Sequence, residues 1–326
     1  MGARLFSRDS KSNMIDARTD KSADQLSRFA AFDYLRLFAM VLVTVQHGMT
    51  AAGFYERTSW GNISIGQTGV SLFCALSGYL AFLSKPSLPA LAWLQKRLLQ
   101  IYPAYWIATI AAFVLTWIAA TKPIDGWLFL SQMLGTGYFT HGWDLVNVVS
   151  WFISLILLCY VIAFVGKWLG RPRFILAAAA SIVFALLATQ SEVAISRHVL
   201  TFCIAGLVAQ VLPRTVAMLV LTAGLFAAAW FWSPAFYAGF GLALLAVALA
   251  WQTPATWLTR MTSPYVYEYF LVHGIFLSAL AHFLPQPKLL SAVLAIALAM
   301  LAAVMLKKLT AWFIACVRGS APISVT

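Results

Sequence analysis

Five ionisable side chains interrupt stretches that are otherwise apolar: Asp33, Arg36 and His47 in one, Glu268 and His273 in another. A charge left in hydrocarbon costs about 2.5 to 3.5 kcal/mol on insertion scales, so each needs a partner or a task. Asp33 and Arg36 are three residues apart, neighbours on one helical face and able to pair. His47 follows Arg36 by eleven residues, close to three turns, which sets both on one side about 16 Å apart along the axis. Their chemistry is complementary. An imidazole exchanges a proton near neutral pH, while a guanidinium stays charged and can hold a carbonyl oxygen or a phosphate, with Asp33 fixing it. Glu268 and His273 lie five apart, about 140° around a helix, so they cannot face one point without distortion. His141 and His198 fall in outer loops and His282 near an outer helix end, where solvated or interfacial side chains are expected.

The elements that must position these groups are membrane spans. The chain of 326 residues is 62% apolar and only 10% charged, whereas a soluble chain keeps about 25% charged to cover its surface. The fold class expected is all-α, a polytopic integral membrane protein of about ten transmembrane helices. They are placed at 32–52, 67–84, 101–120, 147–166, 174–190, 199–212, 215–232, 235–252, 264–284 and 289–306. The first is a retained span and not a signal peptide, given its length and its internal Arg36 and His47. Pro86 and Pro89, Gly170 and Pro172, Pro213, Pro234, Pro254, and Pro285 with Pro287 fall between spans, as helix breakers should.

With the N-terminus cytoplasmic, seventeen Lys and Arg lie on the inner side and only Arg57, Lys122, Arg197 and Lys288 lie outside. That asymmetry predicts cytoplasmic N- and C-termini. It also accounts for the net charge of +12 without nucleic acid, because the basic residues are scattered through short loops. Residues 1–31 read as a disordered polar cytoplasmic tail, 32–317 as one membrane domain and 318–326 as a short cytoplasmic tail. Within 121–146, the semi-apolar piece 127–139 is too short to cross and predicts a re-entrant or interface-lying helix. Trp60, Trp127, Trp232 and Trp257 at the ends of apolar runs form an interfacial belt. Cys74, Cys159, Cys203 and Cys316 have no metal-ligand spacing and read as small packing residues.

The polar residues in the spans fall into recognisable strings. Phe32-Asp33-Tyr34-Leu35-Arg36 with His47 ten intervening residues later is similar to the first-helix Arg-x10-His motif of acyltransferase family 3. Gly66 to Phe73, ending in Leu76-Ser77-Gly78-Tyr79-Leu80, resembles the family's second helix, and Lys96-Arg97 through Tyr102-Pro103-Ala104-Tyr105-Trp106 resembles the basic opening of its third. Trp151-Phe152-Ile153-Ser154 and the string from Ser263 to His273 are softer matches. Two positions depart from the pattern: Gln100 stands where many members have a second Arg, and Ile156 where many have a Glu.

The resemblance implies an acyl-CoA-dependent O-acyltransferase of the inner cell membrane. It would move an acyl group, most often acetyl, from cytoplasmic acyl-CoA to a hydroxyl of a glycan or lipid-linked saccharide. The expected partners are membrane lipid, the acyl-CoA donor and that acceptor, with no metal and no nucleic acid. Such chemistry needs a base for the hydroxyl and positive groups for the oxyanion. The catalytic candidates are His47 as base, Arg36 held by Asp33, and Glu268 and His273; the donor-binding candidates are Arg97, Lys96, Tyr102 and Ser77. A proton-coupled transporter is the rival class, since buried Arg, His and Glu also suit a proton relay. A non-catalytic acyl carrier or scaffold in polysaccharide assembly is the third.

Overall fold

The computed structural model describes residues 9–60, 63–83, 89–189, 193–210, 214–251, 254–284 and 288–317, with the backbone alone for 9–29, 193–194 and 214–215. Lys85, the breakers Pro86, Pro213, Pro285 and Pro287, and the tail 318–326 lie outside the described residues. In lipid the backbone must satisfy its own hydrogen bonds, and an apolar chain does so by forming helices. They follow as α1 (Asp9–Ala51), α2 (Ile65–Leu83), α3 (Ala90–Ala119), α4 (Gly126–Met133), α5 (Gly137–His141), α6 (Ser150–Trp168) and α7 (Pro172–Ala188). The series continues with α8 (Val193–Val208), α9 (Arg214–Ala229), α10 (Ser233–Ala250), α11 (Trp257–Thr262), α12 (Val266–Phe283) and α13 (Lys288–Val317). Between α1 and α2, the two-residue strands β1 (Ser59–Trp60) and β2 (Ile63–Ser64) pair antiparallel.

Among the described residues, six helical segments are long and apolar enough to cross a membrane: 65–83, 90–119, 150–168, 233–250, 257–283 and 288–317. Three shorter apolar helices occupy 172–188, 195–208 and 216–229. The chain is therefore an all-α, multi-pass membrane protein. At its start the helical backbone of α1 also takes in 9–31. That stretch contains no Gly or Pro, and a helix already nucleated by an apolar span propagates at little further cost.

The helix α2 is the hub: 72% of its apolar window is buried, against 33% for α13. Two glycines let neighbouring backbones reach it. A Cβ on Gly69 would stand 2.6 Å from the Ala39 carbonyl of α1, and one on Gly78 would overlap the Phe202 carbonyl of α8. Small residues at such crossings replace the hydrophobic drive that lipid does not supply. Cys74, Cys159 and Cys203 are all buried in the core cluster around these crossings.

The segment expected to be re-entrant or interfacial forms α4 and α5. Asp125 caps α4 by accepting from the Leu128 amide at 2.6 Å. At its other end, α3 supplies the donors that the last carbonyls lack. Trp106 Nε1 donates to Met133 O at 2.9 Å, the Tyr102 hydroxyl to Leu134 O at 2.8 Å, and the Tyr105 hydroxyl to Gln132 O. The Tyr-Pro-Ala-Tyr-Trp string is therefore a clamp on α4.

Candidate active site

Two cavities enter the bundle from opposite ends. The lower, about 1000 Å³, lies toward the start of α1 and is lined by Arg36, Ser77, Lys96, Arg97, Glu268 and Lys307, among others. The upper, about 1270 Å³, lies toward the end of α1, where Gln46, His47 and Thr50 line it, together with Gln67 from the start of α2. Antiparallel running of α1 and α2 explains the split. The late residues of α2 reach the lower cavity and its first turn the upper. Arg36 and His47, read from spacing as one pair, thus open onto different cavities.

Between the cavities stands an aromatic partition. Phe73, Phe152 and Phe270 line the lower cavity, with ring centroids 4.8 to 6.4 Å apart. Behind Phe270 sits His273, fully buried, its ring 5.6 Å from that of Phe270 and stacked on Tyr269. His273 Nε2 lies 3.2 Å from His47 Nδ1, a meeting of α12 and α1 that spacing along one helix could not reveal.

The hydrogen bonds fix the tautomers when both rings are neutral. His273 Nδ1 is 2.7 Å from the Phe270 carbonyl, which only accepts, so Nδ1 carries the hydrogen and Nε2 a lone pair. His47 then donates its Nδ1–H to that lone pair. His47 Nε2 is left unprotonated on a ring that lines the upper cavity, the form a general base requires.

In the lower cavity, Arg36 Nη1 pairs with Asp33 Oδ1 at 2.6 Å, as the three-residue spacing predicts. Arg97 Nη1 donates to Gln100 Oε1 at 3.3 Å, and its guanidinium carbon lies 5.8 Å from the centroid of the Trp93 ring. Glu268, buried, binds Lys307 Nζ through Oε1 at 2.9 Å, while its Oε2 is buried without a hydrogen-bond partner. In the sequence Lys307 directly follows the expected span 289–306 and so reads as a topology determinant. Glu268 and His273 are separated as their spacing requires, one in the lower cavity and one behind the partition. Gln100 and Ile156, the departures from the family pattern, both line the lower cavity. Tyr102 is the candidate that the structure does not bring to the others, since its hydroxyl is engaged with α4.

Two residues assigned to an outer loop belong to a helix instead. His198 is fully buried in α8, between Ser71 Oγ at 2.9 Å and Gln67 Oε1 at 2.7 Å. Arg197 lines the upper cavity. The polar pair pushed the expected start of that span to residue 199, whereas α8 starts at Val193. His141 closes α5, with Nδ1 2.8 Å from Thr140 Oγ1 and 3.2 Å from Ser131 Oγ.

The site therefore comprises a cavity lined by basic residues at one end of a multi-pass helical bundle, a hydrogen-bonded histidine pair behind an aromatic partition, and a second cavity beyond it. The chain belongs to acyltransferase family 3: the family model, described as an acyltransferase domain, matches residues 29–308. It is a membrane acyltransferase. No curated protein and no solved structure matches the chain.

Proposed function

We propose that this protein transfers an acyl group, an acetyl, from acyl-CoA in the lower cavity to a carbohydrate hydroxyl in the upper one, in the inner cell membrane. The observation that carries the reading is the opposed pair of cavities with His47 lining the upper side of the partition and Arg36, Lys96, Arg97 and Lys307 lining the lower cavity. Lys96 and Arg97 would hold the donor phosphates as charge-assisted contacts, Ser77 lies in the same wall, and the thioester supplies the activated acyl carbon. The acceptor hydroxyl gives its proton to His47 Nε2 as its oxygen bonds to that carbon. The C–S bond then breaks and the proton passes on to the departing thiolate. His273 holds His47 in the base-competent tautomer without touching substrate. Mass spectrometry of surface glycans from cells with and without the gene tests the reading; identical acylation in both would overturn it.

In this reading α1 begins in the cytoplasm, ten helices cross, and both termini are cytoplasmic, which agrees with the distribution of Lys and Arg. Cysteines replacing Arg57 and Lys288 are expected to react with an impermeant thiol reagent applied to intact cells, and those replacing Lys167 and Lys308 only after permeabilisation. Labelling of position 167 from outside would break the ten-span topology.

Arg97→Ala is expected to weaken acyl-CoA binding to purified protein by about tenfold, the scale of one lost hydrogen bond to a charged group. Arg97→Lys should recover part of it by restoring the charge without the planar fork. Unchanged affinity in Arg97→Ala would leave that residue a topology determinant only.

A further inference from the structure

Among the described residues, the wall of the upper cavity holds a single Lys or Arg and no Asp or Glu. That cation is Arg197. Its guanidinium carbon lies 4.9 Å over the Tyr237 ring, its Nε is buried without a hydrogen-bond partner, and no carboxylate among the described residues pairs with it. A partly buried guanidinium with an unmet N–H is costly unless an anion meets it. The planar fork of Arg favours carboxylate and phosphate, which it can engage through two parallel bonds.

The surroundings hold this group in place. Tyr237 beneath it accepts a hydrogen bond from the Ser64 amide at 3.0 Å. The next residue in the chain, His198, is pinned on both ring nitrogens by Ser71 and Gln67. A cation fixed before its ligand arrives loses little freedom on binding. Trp143, Trp230 and Trp232 line the same cavity, and large aromatic rings suit the apolar sides of sugar rings. The volume of about 1270 Å³ exceeds the range of about 300–1,000 Å³ typical of small-molecule sites, leaving room for more than one sugar unit.

We propose that the upper cavity selects a saccharide bearing an anionic substituent, a carboxylate or a phosphate, which seats on Arg197 while a hydroxyl of the same molecule reaches His47. The proposal rests on the reading of this cavity as the acceptor site and names the class of acceptor.

The test uses the full chain in phosphatidylcholine nanodiscs, with binding of methyl glucuronide, glucose 1-phosphate and methyl glucoside followed by saturation-transfer NMR. Both anionic probes are expected to bind about tenfold tighter than the neutral one, the scale of a hydrogen bond to a charged group. The preference should shrink at high salt, vanish in Arg197→Gln and persist in part in Arg197→Lys. Equal binding of neutral and anionic probes to the wild type would overturn the proposal, as would a preference that survives in Arg197→Gln. If Arg197→Gln does not fold, the wild-type preference, its salt dependence and Arg197→Lys decide. Loss of probe binding in phosphatidylglycerol nanodiscs, restored by Arg197→Gln, would assign the subsite to a lipid headgroup and overturn the saccharide claim. Acyl transfer in cells without any anionic preference would defeat this inference alone. An intact preference without acyl transfer would defeat the catalytic reading and leave the subsite standing.

Discussion

His47→Gln is expected to insert, fold and bind acyl-CoA like the wild type, yet to lose acyl transfer by about 100-fold or more, the scale of losing a general base. The substitution is chosen for what it keeps. A glutamine amide at this position can still donate to His273 Nε2, which His47 Nδ1 meets at 3.2 Å, so the contact between α1 and α12 survives. What disappears is the second ring nitrogen, the lone pair on the side of the upper cavity. Transfer of labelled acetyl from acetyl-CoA, compared at equal amounts of folded protein, measures the effect. A packing role for His47 predicts the reverse, an active His47→Gln with at most a small loss of stability. Folded, donor-binding His47→Gln protein with normal transfer would remove His47 as the base and direct attention to Glu268, whose Oε2 is buried and unpartnered.

Gly78→Ala should have the largest effect on folding. The added Cβ would overlap the Phe202 carbonyl, and backbone, unlike a long side chain, cannot swing away. Overpacking a tight core costs about 1–3 kcal/mol; separating α2 from α8 would in addition disturb Ser71 and Gln67 where they hold His198. Thermal melts of detergent-solubilised protein and the monodisperse fraction on size-exclusion chromatography should both fall. Gly224→Ala is the control, because a Cβ there meets nothing within 4 Å. Its helix should gain slightly, since Ala is favoured over Gly in helix interiors. Equal behaviour of the two variants would mean that α2 and α8 tolerate a wider crossing.

The role of Gly78, unlike that of His47, is not written in local pattern. Gly78 stands in a Ser-Gly-aromatic string that resembles a family signature, and the string by itself points to chemistry as readily as to packing. Tyr102 reads as a donor ligand beside Arg97, and in the structure its hydroxyl and that of Tyr105 meet the carbonyls that end α4.

The class of the molecule was legible in the amino acids alone: composition requires lipid as solvent, lipid requires helices, and Pro and Gly between apolar runs mark where they end. So was the Asp33–Arg36 pair, because three residues along one helix leave no choice of neighbour. That His47 meets His273, that Arg36 and His47 open onto different cavities, and that Arg197 and His198 belong to a helix wall instead of a loop all came from the packing of the helices. In a soluble protein the apolar stripe of a helix tells which face turns inward. Here lipid and core are equally apolar, so the pattern around each span carries no direction, and which polar groups meet is settled by how the helices pack against one another.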